Sequence, residues 1–173
     1  MNDLTVTAVG RDRPGIVAGV TGVLYQLGCN LADCSMTRLR GDFAMILLVE
    51  APSEVDSARL QEQLEVAGEE FGLEIRVTEA SASEPETPSR PFVISVYGAD
   101  RPGIVHQVAK ALAGRDINIT DLTSHLAHGI YTMVLDADLP EGTNPAEVES
   151  ELRALAGDLG VDLNFRAGDA DEL

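Results

Sequence analysis

An internal repeat is the feature of this sequence that most limits its possible folds. The stretch GRDRPGIV at Gly10–Val17 returns as GADRPGIV at Gly98–Val105, an offset of 88 residues. The same offset aligns further identical residues without a gap, among them Asn30 with Asn118, Asp33 with Asp121, Gly41 with Gly129, Met45 with Met133, Leu64 with Leu152 and Gly72 with Gly160. Because solenoid repeats have shorter periods, about 20 to 50 residues, the sequence predicts a duplicated domain.

The repeat divides the 173-residue chain into two small domains with a connection between them. We predict a first domain over residues 1–79, a linker over 80–91, a second domain over 92–166 and an acidic tail over 167–173. The linker, ASASEPETPSRP, carries three prolines and no large apolar residue, a composition typical of a semi-extended connection. Domains of roughly 80 residues lie at the low end of the sizes that bury a sufficient core.

Each copy has the pattern strand–helix–strand–strand–helix–strand. In the first copy LTVTAVG predicts a strand, Pro14 suits the first turn of the next helix, and Ile16, Val20 and Leu24 share one face of that helix. NLADCSMTRL and DFAMILLVEA predict strands around a turn at RGD, and a second helix and LEIRVTEA complete the copy. In the second copy Asn144–Pro145 is a suitable start for the second helix.

This order of elements predicts an α+β fold made of two ferredoxin-like βαββαβ domains. The right-handed crossover rule places both helices of a domain on one face of an antiparallel sheet. The opposite face of each sheet and the sheet edges then remain uncovered and need partners.

The charge of the chain argues against direct binding to nucleic acid. There are 29 acidic and 12 basic residues, a formal net charge of −17, and Lys110 is the only lysine. Because binding to phosphates needs clustered Lys and Arg, we expect no nucleic-acid partner. The sequence has no apolar run of 18 residues, and its N-terminal MNDLTVTAVG lacks the features of a signal peptide. We therefore expect no membrane contact and a cytoplasmic location.

The DRPG turn joins the first strand of each copy to the first helix. The start of a helix offers unpaired N–H groups and the positive end of the helix dipole, which suit a carboxylate or a phosphate. Gly15 allows a ligand to approach the backbone closely, and Asp12 can either cap the helix or hold an ammonium group. We expect the second strand to begin across the mouth of this turn, where Asn30 offers a donor and an acceptor and Asp33 a second carboxylate. The combination complements an α-amino acid, although helix capping alone also explains the turn.

The same residues carry a resemblance to a known family. DRPGIV after a strand, followed some fifteen residues later by NLAD or NITD, resembles the ACT domain, a small regulatory module that binds amino acids. The resemblance covers both copies, and it implies a ligand between paired ACT domains, bound by the turn and by the second strand. The implied ligand-binding residues are Asp12, Arg13, Pro14, Gly15, Ile16, Asn30, Leu31 and Asp33 in the first copy, and Asp100, Arg101, Pro102, Gly103, Ile104, Asn118, Ile119 and Asp121 in the second.

As a tandem of ACT domains the chain is similar to the regulatory proteins of the glycine cleavage system. The resemblance implies a non-catalytic, homodimeric regulator that senses a small amino acid, with glycine or serine as candidates, and that needs no cofactor. The acidic surface favours a partner protein with a basic patch, such as a transcription factor. Two alternatives stay open. One is a regulatory subunit or fragment of an amino-acid or folate one-carbon enzyme, since ACT domains precede the catalytic domain of formyltetrahydrofolate deformylases. The other is a purely structural interaction module.

The cysteines and histidines predict no redox or metal site. Cys29 and Cys34 are five residues apart, a spacing that would put them on opposite faces of a strand and oppose a disulfide. All three histidines lie in the second copy, and His125 and His128 would likewise point to opposite faces. We expect no metal and no catalytic constellation, and His106, near the start of a helix, could instead adjust the charge of a ligand site.

Overall fold

A computed structural model describes residues 1–81 and 89–168, and it divides the chain into two compact units, Met1–Ser83 and Glu84–Leu173. Each unit has the order βαββαβ. The first unit consists of β1 (Asn2–Arg11), α1 (Ile16–Gln26), β2 (Asn30–Leu39), β3 (Asp42–Ala51), α2 (Ser57–Phe71) and β4 (Leu73–Glu79). The second consists of β5 (Ser89–Ala99), α3 (Ile104–Ala113), β6 (Asn118–Ala127), β7 (Ile130–Pro140), α4 (Pro145–Leu159) and β8 (Val161–Ala167).

Each unit contains one four-stranded antiparallel sheet. The strand order is β2-β3-β1-β4 in the first unit and β6-β7-β5-β8 in the second, so that β2, β4, β6 and β8 are edge strands. The alternate side chains of β1 and β3 that face the helices are buried, whereas every residue of β2 is exposed. The predicted α+β fold of two ferredoxin-like units is therefore confirmed.

The core of each unit lies between the sheet and its two helices. In the first unit Val6 and Leu47 of the central strands pack with Val20 of α1 and Leu60 of α2, all fully buried. The second core repeats this arrangement around Val96, Leu135 and Val108. Burial of alternate strand residues against apolar helix faces supplies the main stabilisation of such small domains.

Two local predictions about the helix starts have different outcomes. Asn144 caps α4 by accepting a hydrogen bond from the amide of Ala146 at 3.1 Å, and Pro145 is the first helical residue, as expected. Pro14, by contrast, is not in the first turn of α1, because Gly15 is the N-cap residue and the helix begins at Ile16. The DRPG segment is thus a turn that precedes the helix.

The predicted linker and tail differ from the structure at their boundaries. β5 begins at Ser89, so the last three residues of the predicted linker, 89–91, belong to that strand. The first residue of the predicted tail, Ala167, is the last residue of β8. Residues 82–88 of the linker and 169–173 of the tail lie outside the described residues.

Both cysteines are free thiols in the first unit. Cys29 precedes β2 and packs against the core, and burial raises the pKa of its thiol. Cys34 lies on the exposed strand β2. Over residues 1–81 and 89–168, the structure contains no helix long and apolar enough to span a membrane.

Candidate functional site

The strand–helix turn of each unit leaves its first helix without a side-chain cap. Gly15 and Gly103 are the N-cap residues of α1 and α3, with φ angles of 96° and 97°, a left-handed conformation that favours glycine. Within the described residues, no side chain accepts a hydrogen bond at either cap. The first intrahelical bonds are donated by the amides of Gly19, at 2.8 Å, and Gln107, at 2.9 Å. The amides of the first helical residues, before Gly19 and Gln107, make no such bond. Together with the helix dipole they therefore form a favourable place for an anionic group.

Helix capping is not the role that Asp12 has in the structure. Its carboxylate Oδ2 accepts a hydrogen bond from Nη1 of Arg38 at 3.2 Å, and the two side chains form an ion pair at the end of β2. In the second unit Leu126 stands at the position of Arg38, and Asp100 forms no hydrogen bond or ion pair with another described residue. The carboxylate of the first turn is therefore paired with an arginine, whereas that of the second turn has no partner among the described residues.

The arginines of the two DRPG turns lie beside the ends of the second helices. Nη1 of Arg101 donates a hydrogen bond to the carbonyl oxygen of Leu159, the last residue of α4, at 3.2 Å. The guanidinium of Arg13 lies close to Gly72, the C-cap residue of α2. A guanidinium at the C-terminus of a helix interacts favourably with the unpaired carbonyl groups and the dipole there. Arg101 therefore ties the turn to α4.

A cleft of about 520 Å³ in the first unit lies beside the turn. It is bounded by the turn itself, the first two helical turns of α1 and the side of β2 that faces the helices. Five of the eight ligand-binding residues expected in this unit contribute to its wall. The lining consists of Asp12, Arg13, Pro14, Gly15, Ile16, Val17, Ala18, Thr21, Met36 and Phe43.

Five of the cleft residues were not among the expected ligand-binding residues, and three of these, Thr21, Met36 and Phe43, carry a usable signal in the sequence. Thr21 lies one helical turn beyond Val17, and residues at i and i+4 share a helix face. Met36 and Phe43 follow from the hairpin register around the two-residue turn at Arg40–Gly41, which places them at the level of the DRPG turn on the helix side of the sheet. A register count outward from the RGD turn would have found both.

The other three expected residues of the first unit, Asn30, Leu31 and Asp33, lie at the opposite end of β2. Asn30 pairs with Glu50 and donates a hydrogen bond to its Oε2 at 3.1 Å, whereas Arg38, which contacts Asp12, pairs with Phe43. Eight residues of strand separate Asn30 from Arg38, roughly 25 Å. The expectation that β2 begins across the mouth of the same unit's turn is therefore wrong, because α1 carries the chain along the whole sheet before β2 starts.

The strand residues also face different sides of the sheet. Asn30 pairs with Glu50 and Asp33 with Leu48, which point to the helix-free face, and Leu31 pairs with Val49, which points to the helices. A bulge between Leu31 and Asp33 changes the alternation. The second unit repeats this arrangement, with Asn118 and Asp121 on the helix-free face, Ile119 on the helix side and a bulge between Ile119 and Asp121.

Comparison with known proteins identifies the family. The sequence pattern of the ACT domain matches residues 2–78 and 90–166, which is most of the chain. The chain belongs to the ACT domain family. The two units are its first and second ACT domains, and the predicted tandem is confirmed.

Relatives of this ACT protein fall into short and full-length matches. A UPF0237 protein of Methanopyrus kandleri is 45% identical over 78 residues, which is 44% of this chain and 87% of the relative. The glycine cleavage system transcriptional repressor of Escherichia coli K12 is 27% identical over 166 residues, which is 91% of this chain and 86% of the repressor. The crystal structure of an unknown protein from Galdieria sulphuraria has a TM-score of 0.84 and 29% identity, covering 97% of this chain and 99% of that one. The chain is therefore homologous to the repressor along nearly its whole length.

The histidines of the second ACT domain are spread over three elements. His106 is the third residue of α3, His125 lies in β6 and His128 lies in the turn between β6 and β7. Among residues 1–81 and 89–168, no group of three His, Cys, Asp or Glu side chains is arranged to hold a metal ion.

The second ACT domain also has a groove of about 740 Å³ between α3 and α4. Arg115 and Glu151 line the groove, and Nε of Arg115 donates to Oε2 of Glu151 at 2.6 Å. Nη1 of Arg115 also lies 3.6 Å from Oε2 of Glu147. The hydrogen bond to Glu151 raises the pKa of the Arg115 guanidinium above its ordinary value. This groove lies toward the C-terminal part of α3 and is separate from the turn.

Proposed function

We propose that this ACT protein is a non-catalytic regulator that binds a small amino acid at its strand–helix turns. The observation that carries the proposal is the uncapped start of α1 and α3 beside an aspartate, with a cleft along the first helix of the first domain. The backbone amides suit the carboxylate of the ligand, and Asp12 or Asp100 suits its ammonium group. Glycine and serine are the first ligands to test, and the name of the repressor relative supports glycine.

We propose further that a second copy of the chain completes each site. Asn30 and Asp12 lie at opposite ends of β2, so one domain alone does not bring them together. β2 is an edge strand that is exposed along its whole length, and such a strand is available for pairing. Antiparallel pairing of β2 with the same strand of a second copy places the start of one strand beside the end of the other.

This pairing brings two of the three remaining expected residues, Asn30 and Leu31, to the level of the turn, whereas Asp33 stays near the middle of the strand. Around a two-fold axis at the middle of the strand, Asn30 and Leu31 of one copy lie level with Arg38 and Leu39 of the other, next to its DRPG turn. The equivalent pairing of β6 with β6 brings Asn118 to the turn at Asp100. The predicted homodimer is thus part of the site in this proposal.

The effect on a partner protein would follow from linkage. If the bound amino acid changes the affinity for a partner by some factor, the partner changes the affinity for the amino acid by the same factor. The net charge of −17 favours a partner with a basic surface, for which a transcription factor is the candidate. Association with such a partner should weaken as salt is raised.

A thermal-shift screen of the twenty amino acids against the full chain tests the proposal. A ligand at a hundred times its dissociation constant adds about 2.7 kcal/mol of stability. In a domain of this size, each kcal/mol of added stability raises the melting temperature by about 4 to 8 °C. Glycine, serine or another small amino acid should give such a shift, and the variants Asp100→Ala and Asn118→Ala should reduce it.

Glu79→Ala is the control, because Glu79 is an exposed carboxylate at the end of β4, where it pairs with Leu4 at the end of the sheet opposite to the turn. It should leave the shift unchanged. The absence of any amino-acid shift in the unmodified protein would refute the proposed function. An equal loss of the shift in Glu79→Ala would refute the placement of the site at the turns.

A further inference from the structure

The walls of the two turn sites differ in polarity although the backbones repeat. At the offset of 88 residues, three apolar residues that line the cleft of the first domain are replaced by polar ones in the second. The first domain has Ala18, Met36 and Phe43 at these positions, and the second has His106, Ser124 and Tyr131. Two copies with the same fold therefore offer different chemistry to a ligand.

The side chain of Tyr131 in the second domain ends in an unpaired hydroxyl group. Its hydroxyl is buried and has no hydrogen-bond partner among the described residues. Tyr131 pairs with Gly98 near the end of β5 and with Leu126 near the end of β6, which is the level of the DRPG turn, and its ring packs against the core. Because a buried tyrosine hydroxyl normally has a partner, this atom marks a place where a polar group of a ligand would be stabilised.

The aspartates of the two turns also differ in their ion-pair partners. In the first domain Arg38 pairs with Asp12 at 3.2 Å and already compensates its charge. In the second domain Leu126 replaces that arginine, and Asp100 has no ion pair within the described part of the chain. A ligand ammonium group therefore meets no competing cation at Asp100, whereas at Asp12 it must compete with Arg38.

We propose that the second ACT domain holds the selective site and that it takes a small amino acid with a side-chain hydroxyl, of which serine is the simplest. The ligand carboxylate binds the amides at the start of α3, the ammonium group binds Asp100, and the hydroxyl pairs with the hydroxyl of Tyr131. The first domain, with Phe43 at that position, does not distinguish serine from alanine. This inference rests on the proposed function, since it assigns the specificity of the same turn sites.

Isothermal titration of the full chain with L-serine and with L-alanine tests the inference. We expect serine to bind more tightly than alanine by about tenfold, the effect of one hydrogen bond to an otherwise unpaired buried group. In Tyr131→Phe the affinity for serine should fall to that for alanine, and the affinity for alanine should be unchanged. Phenylalanine fills this position in the first domain, so the variant should fold, and circular dichroism checks that it does.

Tyr97→Phe is the matched control, because it removes an exposed hydroxyl of the same domain. It should leave the tenfold preference for serine unchanged, whereas Phe43→Tyr should give the first domain a preference for serine as well. Asp100→Ala should weaken serine binding more than Asp12→Ala does. Equal affinities for serine and alanine, or a preference that survives Tyr131→Phe, would overturn the inference while leaving the proposed function intact. Failure of every amino acid to bind the unmodified chain would instead overturn the proposed function itself.

Discussion

The contact between α1 and the end of α2 in the first domain predicts different stability changes for alanine substitutions at two glycines of α1. A Cβ atom at Gly19 would lie 2.3 Å from Cε2 and 3.0 Å from Cζ of Phe71, whereas a Cβ atom at Gly22 would meet nothing within 4 Å. Replacing a helical glycine by alanine stabilises a helix by about 1 kcal/mol. Gly22→Ala should therefore raise the unfolding free energy by about that amount, and the melting temperature by about 4 to 8 °C.

Gly19→Ala should behave differently, because the ring of Phe71 must move away. Overpacking costs about 1–3 kcal/mol, and a half-buried ring at the end of a side chain places the cost toward the lower end of that range. The gain in helix propensity offsets part of this cost. We expect Gly19→Ala to be less stable than Gly22→Ala by about 1–3 kcal/mol, measured by urea unfolding followed by circular dichroism.

The second domain suggests the variant that isolates this contact. At the offset of 88 residues, Gln107 and Leu159 replace Gly19 and Phe71, so a larger residue on the helix accompanies a smaller one at the end of the second helix. In the Phe71→Leu background, Gly19→Ala should become as stabilising as Gly22→Ala, a coupling of about 1 kcal/mol or more. Equal stabilities of the two single variants, or the absence of coupling, would refute the contact as the cause.

Three further predictions concern the turn, the ion pair and the thiols. Gly103→Ala should destabilise the second domain by about 1–2 kcal/mol in urea unfolding, since φ is 97° there and no neighbour lies within 4 Å to add a clash; an unchanged stability would contradict the left-handed turn. Arg38→Leu should change stability by less than about 1 kcal/mol, because its pair with Asp12 is partly exposed, and a larger loss would show that the pair is structural. With a thiol reagent at neutral pH, exposed Cys34 should react before Cys29, whose raised pKa keeps it protonated to higher pH; equal rates would contradict the burial of Cys29.

The secondary structure could be predicted closely from the sequence wherever local signals agreed. The segments NLADCSMTRL and DFAMILLVEA coincide with β2 and β3, because β-branched and alternating apolar residues flank a turn that contains glycine. The repeat then transferred every assignment from the first copy to the second. Pro14 was misplaced because a proline before a helix also fits a turn, and the sequence does not distinguish the N-cap residue from the residue before it.

The site was only partly predictable from the sequence. Which of its residues lie close together depends on the arrangement of the strands in the sheet and not on their separation along the chain. DRPG could be found from the sequence, since the motif itself forms the turn. Asn30 follows α1 closely in sequence, which suggested that it lies near the turn, but the length of α1 places it at the other end of the sheet. Tyr131 carried no signal of its own, because a tyrosine in a strand is ordinary until its hydroxyl is found buried and unpaired.

The most direct test of a site shared between two copies is complementation of two defective chains. Both chains carry Asp12→Ala, which removes the carboxylate of the first-domain sites. In this background Asp100→Ala removes the carboxylate at the second turn and Asn118→Ala removes the amide at the start of β6, so each variant alone should bind little amino acid by equilibrium dialysis. After the two are mixed and allowed to exchange subunits, half of the dimers are mixed and each has one intact second-domain site. About a quarter of the second-domain sites of the Asp12→Ala parent should therefore be recovered. No recovery, from a mixture in which subunit exchange is demonstrated, would contradict the shared site.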